Sequence, residues 1–147
     1  MHKVASAIEA AVAIPLLHIA DPTAQAVIGA GHSRVGLLGT RFTMEQAFYK
    51  DRLCDRHGLQ VLVPSEPDRA RVHRVIYDEL CLGQINAGSR LAFRRVVQGL
   101  VADGAQAVIL GCTEISLLID GSDASVPLFD TTAIHARSAA VWALTET

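Results

Sequence analysis

Residues 107–118 read AVILGCTEISLL: an apolar run, a glycine, a cysteine and an amphipathic continuation. Residues 107–110 are short, wholly apolar and bounded by Gly111, which predicts a buried strand that closes on a turn. Cys112, Thr113 and Glu114 are expected to open a helix, with the thiol over unpaired backbone N–H groups. A helix N-terminus and its dipole can lower a cysteine pKa from about 8.5 into the range ~3.5–7.5, which predicts a usable base or nucleophile near neutral pH. The competing reading is a small buried hydrophobe. The strand, glycine, cysteine, threonine, glutamate order favours chemistry.

Outward from this stretch the same alternation recurs. Residues 34–38 (RVGLL) and 60–63 (QVLV) read as buried strands, and so do 16–19 (LLHI), after Pro15, and 127–129 (PLF). Between them lie helical patterns. Val4, Ile8, Ala11 and Val12 repeat at helical spacing. Asp21 and Pro22 read as an N-cap and first helical residue, with the helix stopping at Gly29 and Gly31. Thr43 and Gln46 read as a capping box that starts a helix at Met44 and ends it at Gly58, with Met44, Ala47, Phe48 and Leu53 inward. Val72, Val75, Ile76 and Leu80 share one stripe, and Ala92, Phe93, Val96, Val97, Leu100 and Val101 another; both are core faces. A last helix follows Asp130, with Ile134, Val141, Trp142 and Leu144. Short apolar strands separated by helices predict an α/β fold, a Rossmann-like parallel sheet with helices on both faces and ligands at the carboxyl ends of strands.

At 147 residues, 50% hydrophobic and 19% charged, the chain is the size of one ordinary domain with enough apolar content for a core. A net charge of −2 gives no electrostatic footprint for nucleic acid. Apolar runs fall short of the ~20 residues that span a bilayer, so no membrane partner is expected and the cytoplasm is the expected location. Three cysteines without paired spacing fit a reducing compartment. Six histidines without HxxxH or CxxC spacing predict no metal site. The stretch GAGHS (29–33) follows a helix and lacks a third glycine, which argues against a dinucleotide loop.

Other reactive residues carry two readings each. Thr40 and Thr43 follow a strand end and either offer hydroxyl donors to a substrate carboxylate or merely cap a helix. His135, one turn into the last helix, either faces the Cys112 cleft or makes a structural hydrogen bond. Asp130 is an N-cap or a cleft residue. Glu114 lies where the dipole favours any carboxylate. Cys54 and Cys81, within helical patterns, read as packing residues.

ILGCTEI together with LLGTRFTMEQAFYK, PLLHIAD, the IYDELC helix, FDTTAIHA and the opening MHKVA resembles the aspartate/glutamate racemase family, more closely its broad-specificity amino-acid racemase branch. The resemblance implies racemisation without pyridoxal phosphate or another cofactor, on a small amino-acid substrate held between two similar α/β domains, with a homodimer as the candidate assembly. One cysteine on each face of the substrate Cα acts as base or acid. By that match Cys112 is one of the pair, Thr113 and Glu114 are its neighbours, and Thr40 and Thr43 bind the carboxylate. The division it implies is 1–33 as a remnant of the first domain, 34–118 as the second, and 119–147 as a return segment with a helix packing on the first. In the family the other cysteine lies in a Cys-x-Asn-Thr-like motif just ahead of the segment that begins here at Met1, so an N-terminal truncation is expected, leaving one partner of a two-base device. Leu82 stands where aspartate-specific relatives tend to carry a lysine, which favours a broader or non-acidic substrate. The alternatives are decarboxylation or isomerisation of a small dicarboxylate, and an inactive ligand-binding fragment.

Overall fold

The computed structural model describes residues 2–145; Met1, at the head of the MHKVA motif, and residues 146–147 lie outside them. Strands β1 (Arg34–Leu38), β2 (Gln60–Leu62), β3 (Ala107–Leu110) and β4 (Leu128–Asp130) form one parallel sheet in the order β2-β1-β3-β4. The helices are α1 (Ala5–Ala11), α2 (Ala20–Gly29), α3 (Arg41–Glu45), α4 (Ala47–Asp51), α5 (Glu66–Asp78), α6 (Ala87–Ala102) and α7 (Thr131–Thr145). From β1 the chain goes outward one way to β2 and returns on the other side to β3. That reversal lies at the carboxyl ends of β1 and β3, the place where parallel sheets of this kind take their ligands. Among the described residues no helix is long and apolar enough to cross a membrane.

The central strands are buried on both sides, which is why they read as unbroken apolar runs. Strand period decides which side each residue serves. Val35, Leu37, Ala107 and Ile109 pack with Ala24 and Val27 of α2, Tyr49 of α4 and Leu53. Leu38, Val108 and Leu110 pack with Val72 and Ile76 of α5 and Phe93, Val96, Val97 and Leu100 of α6. Gly36 is needed for the second layer: a Cβ there would stand 2.8 Å from Leu100 Cδ1.

Several local expectations give way to tertiary partners. Residues 16–19 form no strand; the His18 carbonyl accepts the Asp21 N–H at 3.0 Å and its Nδ1 accepts the Ala20 N–H at 3.1 Å, so this backbone is spent starting α2. Asp21 is consequently not the N-cap. It lies inside the first turn and turns its carboxylate to Arg52 (2.8 and 2.7 Å) and the His57 Nε2–H (2.9 Å). The helix expected from Met44 starts at Arg41, capped by Thr40, and breaks at the extended Gln46. It resumes as α4 and a π-helical turn, Arg52–Arg56, and Ala47 is exposed rather than inward. Val4 and Val12 of the first helical stripe stay exposed, and only Ala5 of α1 is buried. Strand β4 shares the sheet with β3, so the segment expected as a return after residue 118 also supplies an edge strand. Helix α7 packs against α2, but Val141 and Leu144 are exposed and Thr131 is its buried residue.

Candidate active site

Strands β1 and β3 run side by side with Leu38 opposite Leu110, so the chain leaving each emerges at the same edge. The Gly111 N–H donates to the Leu38 carbonyl at 2.7 Å, which prolongs the pairing one residue past the sheet. A Cβ on Gly111 would meet that oxygen at 2.9 Å and Thr43 Cγ2 at 3.3 Å, so only glycine lets the Cys112 turn sit this close to β1 and α3. The Thr131 hydroxyl donates to the Leu110 carbonyl at 2.8 Å and ties the start of α7 to the end of β3.

Cys112 is half-buried against the α5–α6 core, and its Sγ–H donates to Glu114 Oε2 at 2.9 Å. The helix expected here does not form. Ile115, Leu118 and Ile119 are buried at helical spacing, yet the backbone makes one 3-10 turn, Ile115–Leu117. Beyond it Asp120 caps a separate turn, Gly121–Asp123, held to α6 by Arg90 through Asp120 (3.1 Å) and Asp123 (2.7 Å). With no α-helix there is no macrodipole to favour a thiolate. The thiol pKa is instead pushed up to about 12, first by burial, then by the hydrogen bond to Glu114. The Glu114 N–H pulls the other way, and the nearby charges of Glu114 and Cys81 add to the rise. The lowered pKa expected from the sequence is therefore corrected: at neutral pH Cys112 carries its proton. Reciprocally, the hydrogen bonds from Cys112 and then Thr113 hold Glu114 below the usual carboxylate range.

Thr40 and Thr43 border this turn. Thr40 Oγ accepts the Thr43 N–H at 3.4 Å, and the two hydroxyl oxygens are 3.3 Å apart. Capping is thus established for Thr40. The Arg41 N–H is taken by His73 Nδ1 at 3.2 Å, and the Thr40 and Thr43 hydroxyls are donors this corner can offer an anion. Thr113 is exposed beside Cys112. Asp130 ends β4 opposite Leu110 and caps α7, accepting the Thr132 and Ala133 N–H groups at 2.9 and 3.2 Å. It also borders an open cavity of about 680 Å3 between α2, β4 and α7.

His135 is not brought to Cys112. It lines a separate cavity of about 140 Å3 with Ala5, Ile8, Leu16, Leu17, His18 and Ile19, where its Nδ1 is buried without a hydrogen-bond partner. Cys81 is exposed on the 3-10 turn Leu80–Leu82, so packing does not describe it. Sequence reasoning missed its influence on Cys112, which only the fold creates. It also missed that Glu114 accepts the thiol hydrogen bond; the i,i+2 spacing of cysteine and glutamate was the available signal. Among the described residues no group of His, Cys, Asp and Glu is arranged to hold a metal ion.

A family model described as Asp/Glu/hydantoin racemase matches residues 1–139. A protein of Pectobacterium carotovorum subsp. carotovorum encoded in the pnlA 3′ region, itself uncharacterised, is 33% identical over 105 residues, 71% of this chain and 68% of its own length. A crystal structure from Yersinia pestis, provisionally assigned as an Asp/Glu racemase, matches with a TM-score of 0.95 and 58% identity over 99% of this chain and 63% of its own. An aspartate racemase homologue from Pyrococcus horikoshii OT3 matches with a TM-score of 0.87 and 34% identity, covering 97% of this chain and 62% of its own. The Picrophilus torridus aspartate racemase, 22% identical with a TM-score of 0.63, shares the fold. The chain thus spans less than two thirds of the length of these structures.

Proposed function

We infer the function from one premise: this chain belongs to the Asp/Glu/hydantoin racemase family. On that premise it contributes to the cofactor-independent racemisation of an amino acid, with Cys112 as one of two acid–base groups flanking the substrate Cα. The observation that carries the reading is the Cys112 turn at the carboxyl end of β3, next to β1, with Thr43 packed against Gly111 and the Thr40 and Thr43 hydroxyls side by side. Those hydroxyls bind the substrate carboxylate. A base on the far face removes the Cα proton, and the thiol delivers its own to the near face. One thiol cannot serve both faces, and the family resemblance assigns the second cysteine to a motif outside these 147 residues. Leu82, standing where the resemblance puts a lysine in aspartate-specific relatives, favours a substrate side chain without a second carboxylate. Of residues 1–33, the part ahead of α2 then belongs with a further domain, a reading supported by the exposure of Val4, Val12 and Ile14, whereas Ala24 and Val27 of α2 are buried against β1 and β3.

The test is incubation with a panel of L-amino acids in D2O, following α-deuterium by NMR and enantiomers by chiral chromatography. The protein is assayed alone and joined to an upstream segment carrying the Cys-x-Asn-Thr-like motif that the family resemblance implies. The joined protein should exchange and racemise; the 147-residue chain alone should not. Racemisation by the chain alone would overturn the two-group division. No exchange by the joined protein with any amino acid would sink the racemase reading, and turnover of small dicarboxylates instead would replace it.

A further inference from the structure

We propose that Glu114 is a positioning residue whose ionised carboxylate, accepting the Cys112 Sγ–H at 2.9 Å, keeps the proton on sulfur at rest and makes the thiolate strongly basic once that proton has left. Its use in turnover rests on the racemase reading; the thiol–carboxylate pair itself belongs to this chain.

The geometry leaves the carboxylate little else to do. Among the described residues no lysine, arginine or histidine stands within ion-pair distance of Glu114, so its charge is not neutralised by a cation. The Thr113 hydroxyl helps to keep it ionised. The titratable groups acting on Cys112 are Glu114 on its own segment and Cys81 on the 3-10 turn after α5, and each opposes a negative sulfur. Burial against the α5–α6 core opposes it too.

In turnover the Sγ–H swings from Glu114 to the substrate. The S–H bond breaks, a Cα–H bond forms, and the electron pair stays on sulfur. The new thiolate then faces a carboxylate at hydrogen-bond distance, and this repulsion drives it to recover a proton from the next Cα–H. An α-C–H is a very weak acid, so a base raised in strength by its neighbour suits the task better than a stabilised thiolate.

The experiment is iodoacetamide alkylation of the 147-residue chain across the alkaline range, with peptide mass spectrometry to separate Cys112 from Cys54 and Cys81. The midpoint of the pH profile is read rather than the absolute rate, which burial alone can slow. Wild-type Cys112 should titrate above the ordinary thiol range. E114Q, which keeps an acceptor but loses the charge, should lower the midpoint by about one to two pH units and speed alkylation near neutral pH about tenfold or more. E114D, which keeps the charge, should retain a raised midpoint; circular dichroism verifies that each variant folds. An unshifted E114Q midpoint, or a wild-type midpoint at or below that of Cys81, overturns the proposal. If E114Q does not fold, the wild-type and E114D midpoints decide. Alkylation and D2O exchange fail separately: a shifted midpoint without exchange sinks the racemase reading alone, and exchange without a shift sinks only this one.

Discussion

Acid titration of the ion cluster at Asp21 offers a worked prediction. Its carboxylate, 25% exposed, accepts from Arg52, 10% exposed, and from His57. Burial raises the Asp21 pKa, but the hydrogen bonds from Arg52 and His57 outweigh it and bring the value from 3.8 to about 2. Because the folded value lies below the unfolded one, the cluster stabilises the fold fully above about pH 4 and loses that contribution as pH falls toward 2. The shift corresponds to about 2 kcal/mol. Asp21→Asn keeps the shape and removes the charge, leaving Arg52 with Glu9 at 4.0 Å. The variant should be less stable by about 2–3 kcal/mol at neutral pH, lowering Tm by roughly 6–9 °C. Urea unfolding of both proteins, followed by far-UV circular dichroism between about pH 7 and 2, reads the difference directly. Their separation should shrink toward zero across the acid window, since other carboxyls titrate alike in both. A separation that stays constant, or a variant as stable as wild type at neutral pH, refutes the assignment.

Two further substitutions probe the frame of the site. Gly111→Ala puts a Cβ 2.9 Å from the Leu38 carbonyl and 3.1 Å from Leu37 Cδ1; backbone cannot yield cheaply, so chemical denaturation should show a loss of about 1–3 kcal/mol together with a changed Cys112 alkylation profile. Asp130→Ala removes the acceptor of two N–H groups at the head of α7 and should cost about 0.5–2 kcal/mol, with hydrogen exchange rising first at Thr132 and Ala133.

The sheet is largely legible in the sequence. Residues 34–38, 60–63, 107–110 and 127–129 fall on β1 to β4 within a residue, since strands covered on both faces are apolar along their whole length. The stripes of α5 and α6 were equally plain. The apolar run 16–19 looked the same but was claimed by the turn that starts α2, and strand hydrogen bonds need a neighbour that sequence cannot guarantee. Thr40 and Thr43 were both chemically able to cap. Thr40 is the one that caps, accepting the Thr43 N–H at 3.4 Å, and His73, 32 residues away, accepts the neighbouring Arg41 N–H. His135 was expected near Cys112 from its position after a strand end, but α7 turns it toward α1 and the 16–19 segment.

The sequence by itself determined a parallel α/β sheet and a cysteine at the carboxyl end of one central strand, because period, glycine and apolar length are local properties. Only the tertiary structure decided that this cysteine is a thiol. Its protonation depends on burial against α5 and α6 and on a carboxylate at 2.9 Å, and these act through space rather than along the chain.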